Sequence, residues 1–131
     1  MKQVTAAIML DGDKVLIAKR ASGDRLSKKW EFPGGKIEAG ESPEECLARE
    51  LCEELGIEAR VGSFFARSIY HYEHGVIELL AYFADWVSGE MFTHFHDDAK
   101  WVSIKDVDLY DFAPADVPIK EKLKNYFSCS E

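Results

Sequence analysis

A segment of glycines and carboxylates at residues 34–57 constrains this chain more than any other part of it. The segment reads GGKIEAGESPEECLARELCEELGI. Nine of its positions keep one fixed spacing, which chance would rarely produce. These positions are Gly35, Glu41, Arg49, Glu50, Leu51, Glu53, Glu54, Gly56 and Ile57. The segment gathers carboxylates in the way that a divalent cation holding a polyphosphate would require.

The second half of this segment predicts a helix with both ends marked. Ser42 is a good N-cap, Pro43 suits the first helical position, and Glu45 completes a capping box with Ser42. Gly56 is placed to end the helix. At roughly 100° per residue, the apolar and the acidic side chains occupy separate arcs. The apolar arc holds Leu47, Ala48, Leu51 and Leu55, and the acidic arc holds Glu50, Glu53 and Glu54.

Apolar, β-prone runs lie on both sides of this helix. The predicted strands cover residues 5–10, 14–18, 30–32, 60–69, 76–87 and 100–104, and a last helix begins at Pro114. The first two strands are predicted to pair as a hairpin around Asp11-Gly12-Asp13. Strands before and after a central helix favour the α/β class, with a mixed β-sheet held between helices.

Length and charge limit the classes of partner. A chain of 131 residues fits a single domain over 1–131. With 24 acidic and 16 basic side chains the net charge is −8, which argues against a nucleic acid polymer as partner. There is no apolar run long enough to cross a bilayer. Cysteines at 46, 52 and 129 lack metal-ligand spacing and predict free thiols in a reducing cytoplasm.

The acidic arc has two interpretations when it is considered alone. It could be a solvated helix face with Arg49 and nearby lysines as counter-ions. It could also be a metal site, because carboxylates three and four residues apart repel one another by roughly a few tenths of a kcal/mol unless a cation lies between them. The glycine-rich loop that precedes the helix, at residues 33–41, favours the metal site. Oxygen ligands without His or Cys suit Mg²⁺, or Mn²⁺, rather than Zn²⁺.

The spacing over residues 34–57 resembles the Nudix box, the signature of hydrolases that cleave a diphosphate linked to another group. The resemblance implies a Nudix fold, an α/β/α sandwich with a mixed β-sheet. It also implies that Glu50, Glu53, Glu54 and the Gly34 carbonyl bind the metal ion. Lys36 would lie near the phosphates.

Two further residues of the box carry implied roles. Arg49 would orient the carboxylates through a salt bridge, and Glu41 would pin the loop to the helix. The reaction would be substitution at phosphorus by water, which turns a nucleoside triphosphate into a monophosphate and pyrophosphate. Glu53 or Glu50 is the candidate that takes the proton from water.

Two flanking segments are similar to the MutT-like subfamily, most of all to its CTP pyrophosphohydrolase and 8-oxo-dGTP diphosphatase branch. They are residues 30–34, which read WEFPG, and 112–118, which read FAPADVP. The similarity implies that Arg20 contacts phosphate and that Phe32 lines the nucleotide pocket, with Tyr82 as a weaker candidate for the same wall. Asp116 would read the edge of the base.

Asp116 leaves the preferred base open. An ionised carboxylate accepts hydrogen bonds from the amino group of cytosine or from guanine N1–H and N2, whereas a protonated one can also donate to cytosine N3. The alternative is that Asp116 caps the last helix. One position departs from the subfamily, because Phe95 stands where relatives usually carry another Glu. Asp97, Asp98, His94 and His96 lie close enough to replace it.

The expected activity is metal-dependent hydrolysis of a small nucleotide, a cytidine nucleotide or an oxidised one such as 8-oxo-dGTP, by a cytoplasmic monomer. One alternative is a Nudix hydrolase of another diphosphate, such as ADP-ribose. The other is a nucleotide-binding module without catalysis, which Phe95 alone favours. Retention of the glutamates of the box favours the enzyme.

Overall fold

The computed structural model describes residues 1–20, 28–73, 75–91 and 96–129. The strands are β1 (Lys2–Ile8), β2 (Leu10–Asp11), β3 (Lys14–Arg20), β4 (Trp30–Glu31), β5 (Glu58–Tyr72), β6 (Gly75–Ser88) and β7 (His96–Ser103). The helices are α1 (Pro43–Leu55) and α2 (Val117–Cys129), with 3-10 helices at Ile104–Leu109 and Pro114–Asp116. None of the helices described is both long and apolar enough to cross a membrane.

The strands form two sheets. In the first sheet β6 lies between β1, to which it is parallel, and β5, to which it is antiparallel, so this sheet is mixed. In the second, β3 pairs with β7 along one edge and with β2 and β4 along the other, all antiparallel. The long β5–β6 hairpin and the mixed sheet confirm the predicted class.

The predicted hairpin at the start of the chain is only partly correct. The turn forms, but only β2, two residues long, pairs with β3. Residues 2–8 pair instead with β6 in the other sheet. The chain changes sheet at Met9, whose carbonyl still accepts a hydrogen bond from Leu16 N–H at 3.1 Å. The sequence pattern could not show this change of sheet, because β3 and β6 are both apolar strands with which residues 2–8 could pair.

Helix α1 begins and ends as the sequence predicts. Ser42 Oγ accepts from Glu45 N–H at 3.1 Å, and Glu45 Oε1 accepts from Ser42 N–H at 2.9 Å, which completes the capping box. Gly56 ends the helix in the left-handed conformation, with φ of 70°. Helix α2 begins later than predicted, at Val117, because Pro114–Asp116 forms a 3-10 turn.

Two apolar cores lie on opposite faces of the mixed sheet. One packs against α1 and includes Leu47 and Leu51, and the other packs against α2 and includes Ile119 and Leu123. Successive residues of β6 point alternately into the two cores. The sheet between two helices is the sandwich that the sequence predicts.

Candidate active site

The glycine-rich loop lies beside β1 as an extended segment. Thr5 N–H donates to the Gly35 carbonyl at 2.7 Å, Ala7 N–H donates to Pro33 at 2.7 Å, and Ile37 N–H donates to Gln3 at 3.0 Å. Since alternate peptide groups of an extended segment face opposite edges, we expect the Gly34 carbonyl to face away from β1. That orientation leaves the Gly34 oxygen available to a ligand.

Gly34 and Gly35 are in contact with groups that leave no space for a side chain. A Cβ at Gly34 would lie 2.0 Å from the Thr5 carbonyl oxygen. A Cβ at Gly35 would lie 2.3 Å from the carboxyl carbon of Glu50. Gly34 therefore lets the loop pack on β1, and Gly35 forms a cradle that the Glu50 carboxylate fills.

Arg49 joins the loop to the acidic arc of α1. Its guanidinium group donates to both oxygens of Glu41, with Nε to Oε2 at 2.5 Å and Nη2 to Oε1 at 2.9 Å. Nη1 also donates to Glu50 at 2.9 Å and to Glu53 at 3.0 Å, and Nη2 donates to the Lys36 carbonyl at 3.2 Å. One cation thus holds three carboxylates and the loop backbone together.

The carboxylates of this network differ in their environments. The Glu50 side chain is 15 % exposed and the Glu53 side chain is 56 % exposed. Burial raises the pKa of Glu50, an effect that its hydrogen bond to Arg49 opposes. The hydrogen bonds from Arg49 lower the pKa of Glu41 to about 2. The same hydrogen bonds join Glu41, on the loop, to Arg49 on α1.

Three of the predicted metal ligands lie on α1, but they are not gathered around one point. Within the described ranges no three His, Cys, Asp or Glu side chains form a group that could hold a metal ion. Glu50 and Glu53 contact Arg49 instead, and Glu54 lies half-buried on the same helix. The donors still fit a hard divalent cation, because all are oxygens and the Gly35 cradle admits the Glu50 carboxylate.

A second group of residues lies on the opposite face of the mixed sheet, around Asp116. Its carboxylate is buried, and Oδ2 accepts a hydrogen bond from Phe32 N–H at 3.0 Å. The Phe32 ring packs against Phe112, with centroids 5.3 Å apart. The Asp116 carboxylate thus bonds to a distant segment rather than to the first turn of α2. This contact gives Asp116 a partner other than the helix end that the alternative interpretation assigned to it.

The surroundings of Asp116 disfavour its charged form. Burial, followed by the nearby charge of Glu31, raises the pKa of Asp116 well above its ordinary value. Arg20, the predicted phosphate contact, forms a salt bridge with Glu31 at 2.6 Å. Tyr72 also belongs to this group, because its hydroxyl accepts from Ala115 N–H at 3.2 Å. The sequence carried no signal for Tyr72 beyond its place near the tip of a predicted hairpin.

Other predicted residues lie elsewhere. Tyr82 does not share a wall with Phe32, because the alternation along β6 points it into the α1 core. Its ring also packs against the exposed ring of Phe64. Lys36 is exposed. Asp98 accepts from Ala99 N–H at 2.8 Å. Residues 94 and 95 and the side chains of 96 and 97 lie outside the described part of the chain.

Comparison with known proteins agrees with this fold. The NUDIX domain family matches residues 1–123, and the chain therefore belongs to the Nudix family. Nudix hydrolases generally use divalent metal ions.

Two curated relatives come from Escherichia coli K12. The CTP pyrophosphohydrolase is 39% identical over 121 residues, which is 92% of this chain and 90% of that protein. The 8-oxo-dGTP diphosphatase is 34% identical over 127 residues, which is 95% of this chain and 98% of that protein. The solution structure of the E. coli ORF135 protein superposes with a TM-score of 0.88 at 36% identity, covering 98% of this chain and 92% of that one.

Proposed function

We propose that this protein is a Mg²⁺-dependent nucleoside triphosphate diphosphatase, with Mn²⁺ as an alternative ion. It would hydrolyse a ribo- or deoxyribonucleoside triphosphate to the monophosphate and pyrophosphate. Its substrates would be cytidine nucleotides or oxidised nucleotides such as 8-oxo-dGTP. The named activities of the two E. coli relatives support this class of substrate.

The observation that carries the proposal is the close contact between the Glu50 carboxylate and Gly35. The Glu50 carboxylate lies against Gly35, on the helix that also carries Glu53 and Glu54, and these carboxylates are hard oxygen donors. A solvated acidic helix face would have no need of such a cradle. The salt bridge from Arg49 to Glu50 supports an orienting role for that arginine.

In the proposed mechanism Glu50, Glu53, Glu54 and the Gly34 carbonyl would hold the metal ion. When bound, the ion would supply positive charge against the phosphates and would make a nearby water more acidic. Lys36 and Arg20 contact the phosphates, and Glu53 or Glu50 accepts the proton of the attacking water. The new bond forms between the water oxygen and phosphorus as the anhydride bond breaks.

Asp116 and Phe32 are proposed to recognise the base on the other face of the sheet. The raised pKa of Asp116 favours a carboxyl group that can donate as well as accept. Such a group matches cytosine, to which it donates at N3 while it accepts from the amino group. This match makes cytidine nucleotides the first choice among the substrates.

Two other functions remain candidates. A Nudix hydrolase of ADP-ribose or another diphosphate derivative would use the same metal site. A nucleotide-binding module without catalysis would require the metal site to be inactive, which Phe95 favours by standing in place of a glutamate. Of the two, the hydrolase fits the intact set of box residues better.

A pyrophosphate-release screen with Mg²⁺ tests the proposal. The panel holds the common NTPs and dNTPs with 8-oxo-dGTP, 5-methyl-dCTP and ADP-ribose, the last followed by AMP release. We expect turnover of triphosphates, with cytidine nucleotides preferred and chelator abolishing activity. Turnover of ADP-ribose alone would support the other hydrolase. Nucleotide binding that persists in chelator without turnover would support the binding module.

A further inference from the structure

The Gly35 carbonyl receives polar contacts from two different elements. On the β1 side, Thr5 donates to it twice, from its backbone N–H at 2.7 Å and from Oγ1 at 3.1 Å. On the α1 side, the Cys46 thiol lies 3.5 Å from the same oxygen and 3.4 Å from Thr5 Oγ1. One loop carbonyl is therefore fixed to both a strand and a helix.

The Thr5 hydroxyl is a polar group that is buried in the protein. Thr5 is 1% exposed, and Cys46 is fully buried. A buried hydroxyl without a partner is costly, so the bond to Gly35 both satisfies Thr5 and restrains the loop. The backbone bond from Thr5 would survive loss of the hydroxyl, so the strand pairing does not depend on the side chain.

The same glycine sets the position of Glu50. Its Cα lies so close to the Glu50 carboxylate that a Cβ would stand 2.4 and 2.7 Å from the two oxygens. A small shift of Gly35 therefore changes where that carboxylate can sit. The Gly34 carbonyl is one peptide away and moves with it.

We propose that Thr5 is a positioning residue for the metal site, acting through the Gly35 carbonyl on Glu50 and on the Gly34 oxygen. This inference rests on the proposed function, because it assumes that these oxygens hold a divalent cation. Groups that hold metal ligands in place commonly change metal affinity by about 10–100-fold when they are removed. Thr5 is such a group in a position that the Nudix box does not include.

The test measures binding of Mn²⁺ alone to the full chain by electron paramagnetic resonance, without substrate. Thr5→Val removes the hydroxyl and keeps the branched shape, and we expect it to weaken Mn²⁺ binding about tenfold. Thr5→Ser returns the hydroxyl and should restore affinity to within about twofold of wild type, since the donor to Gly35 is the same. The Mn²⁺ concentration for half-maximal pyrophosphate release should rise in Thr5→Val by the same factor as the dissociation constant.

Ser68→Ala is the matched control. Ser68 is also a buried hydroxyl on a strand, and among the described residues its oxygen has no hydrogen-bond partner. We expect Ser68→Ala to bind Mn²⁺ like wild type. Thermal unfolding of each variant separates loss of affinity from loss of fold, and Thr5→Ala replaces Thr5→Val if the valine does not fold.

The possible failures are distinct. If wild type binds Mn²⁺ and Thr5→Val binds it as tightly, the positioning role of Thr5 is wrong and the proposed function stands. If Thr5→Ser fails to restore affinity, the hydroxyl is not the group responsible. If wild type neither binds Mn²⁺ nor releases pyrophosphate, the proposed function fails, and the role of Thr5 fails with it.

Discussion

Asp116 accepts a hydrogen bond from the backbone N–H of Phe32, at 3.0 Å and across 84 residues of sequence. Phe32 directly precedes the glycine-rich loop, and Asp116 directly precedes α2. The contact therefore ties the start of the proposed metal site to the residue proposed to read the base. Both residues are buried.

Asp116→Asn should change the ranking of bases more than it changes stability. The asparagine carbonyl can still accept from Phe32 N–H, and its amide keeps a fixed donor, whereas a carboxyl group can ionise and then accept from guanine with both oxygens. We expect the ratio of kcat/KM for cytidine over guanosine triphosphates to rise by about fivefold, since the lost hydrogen bond to guanine is worth about 1 kcal/mol. An unchanged ratio with a lower melting temperature would mean that Asp116 serves only the fold.

The same carboxyl group predicts a pH dependence of stability. Because the pKa of Asp116 is raised in the folded protein, its unfolded form loses the proton first as pH rises. The folded state is therefore favoured below the ordinary value of 3.8, and this contribution is lost as pH rises through the folded pKa. The free energy of unfolding of wild type minus that of Asp116→Asn should fall with rising pH across this window. A difference independent of pH would contradict the assignment.

Gly34→Ala and Gly35→Ala should have different effects on the protein. At Gly34 the new Cβ meets the Thr5 backbone, which cannot move aside, so we expect a loss of about 1–3 kcal/mol in the free energy of unfolding. At Gly35 it meets the flexible Glu50 carboxylate, so we expect about tenfold weaker Mn²⁺ binding with a smaller loss of stability. Denaturant unfolding and Mn²⁺ titration distinguish the two effects.

Gly62→Ala is the control for both glycine variants. The nearest atom to its new Cβ would be the Phe83 carbonyl oxygen, at 3.4 Å, and Gly62 has no positive φ that would strain an alanine. Its stability and metal binding should match wild type. Equal effects at all three positions would show that alanine disturbs this fold without regard to the site.

Glu53→Gln should lower kcat by about 10²-fold or more, because it removes both a proposed metal ligand and a candidate base. The change keeps the size of the side chain, and Glu53 is largely exposed, so the melting temperature should change little. Glu44→Gln, on the same helix outside the acidic arc, is the matched control. Pyrophosphate release at saturating Mg²⁺ measures both variants. Near-native kcat in Glu53→Gln would contradict its place in the metal site.

Glu41→Gln should remove part of the acid sensitivity of the fold. The pKa of Glu41 is lowered from 4.5 to about 2 by Arg49, so its contribution to stability is present above pH 4.5 and is lost as pH falls toward 2. In the variant, the free energy of unfolding should decline less steeply over that range. Urea titrations at successive pH values measure the slope. The same slope in both proteins would mean that the contact with Arg49 does not act on folding.

The sequence predicted the local features of this fold well. The capping box at Ser42 and the left-handed Gly56 depend on residues a few positions apart, so a short pattern contains all the information that they need. The acidic arc was equally visible, because helical geometry alone brings its glutamates to one face. These features include most of the residues proposed to bind the metal ion.

The sequence pattern could not predict contacts between segments that are far apart in the chain. The change of sheet at Met9 is decided by whether β1 finds β6 or β3, which are equally suitable apolar partners. The orientation of Tyr82 depends on the register of β6, since a one-residue slip would exchange its two faces. The Phe32–Asp116 bond forms only when two segments far apart in the sequence come together in the fold.

The proposed metal site around Glu50 and the Asp116–Phe32 bond also differ in which parts of the chain form them. The proposed metal ligands come from one continuous stretch that ends within α1, whereas the residues proposed to read the base come from segments far apart. On the proposed function, substitutions near the end of the chain should therefore change the choice of nucleotide more than the rate of bond cleavage. Bond cleavage and substrate selection would then depend on different parts of the chain.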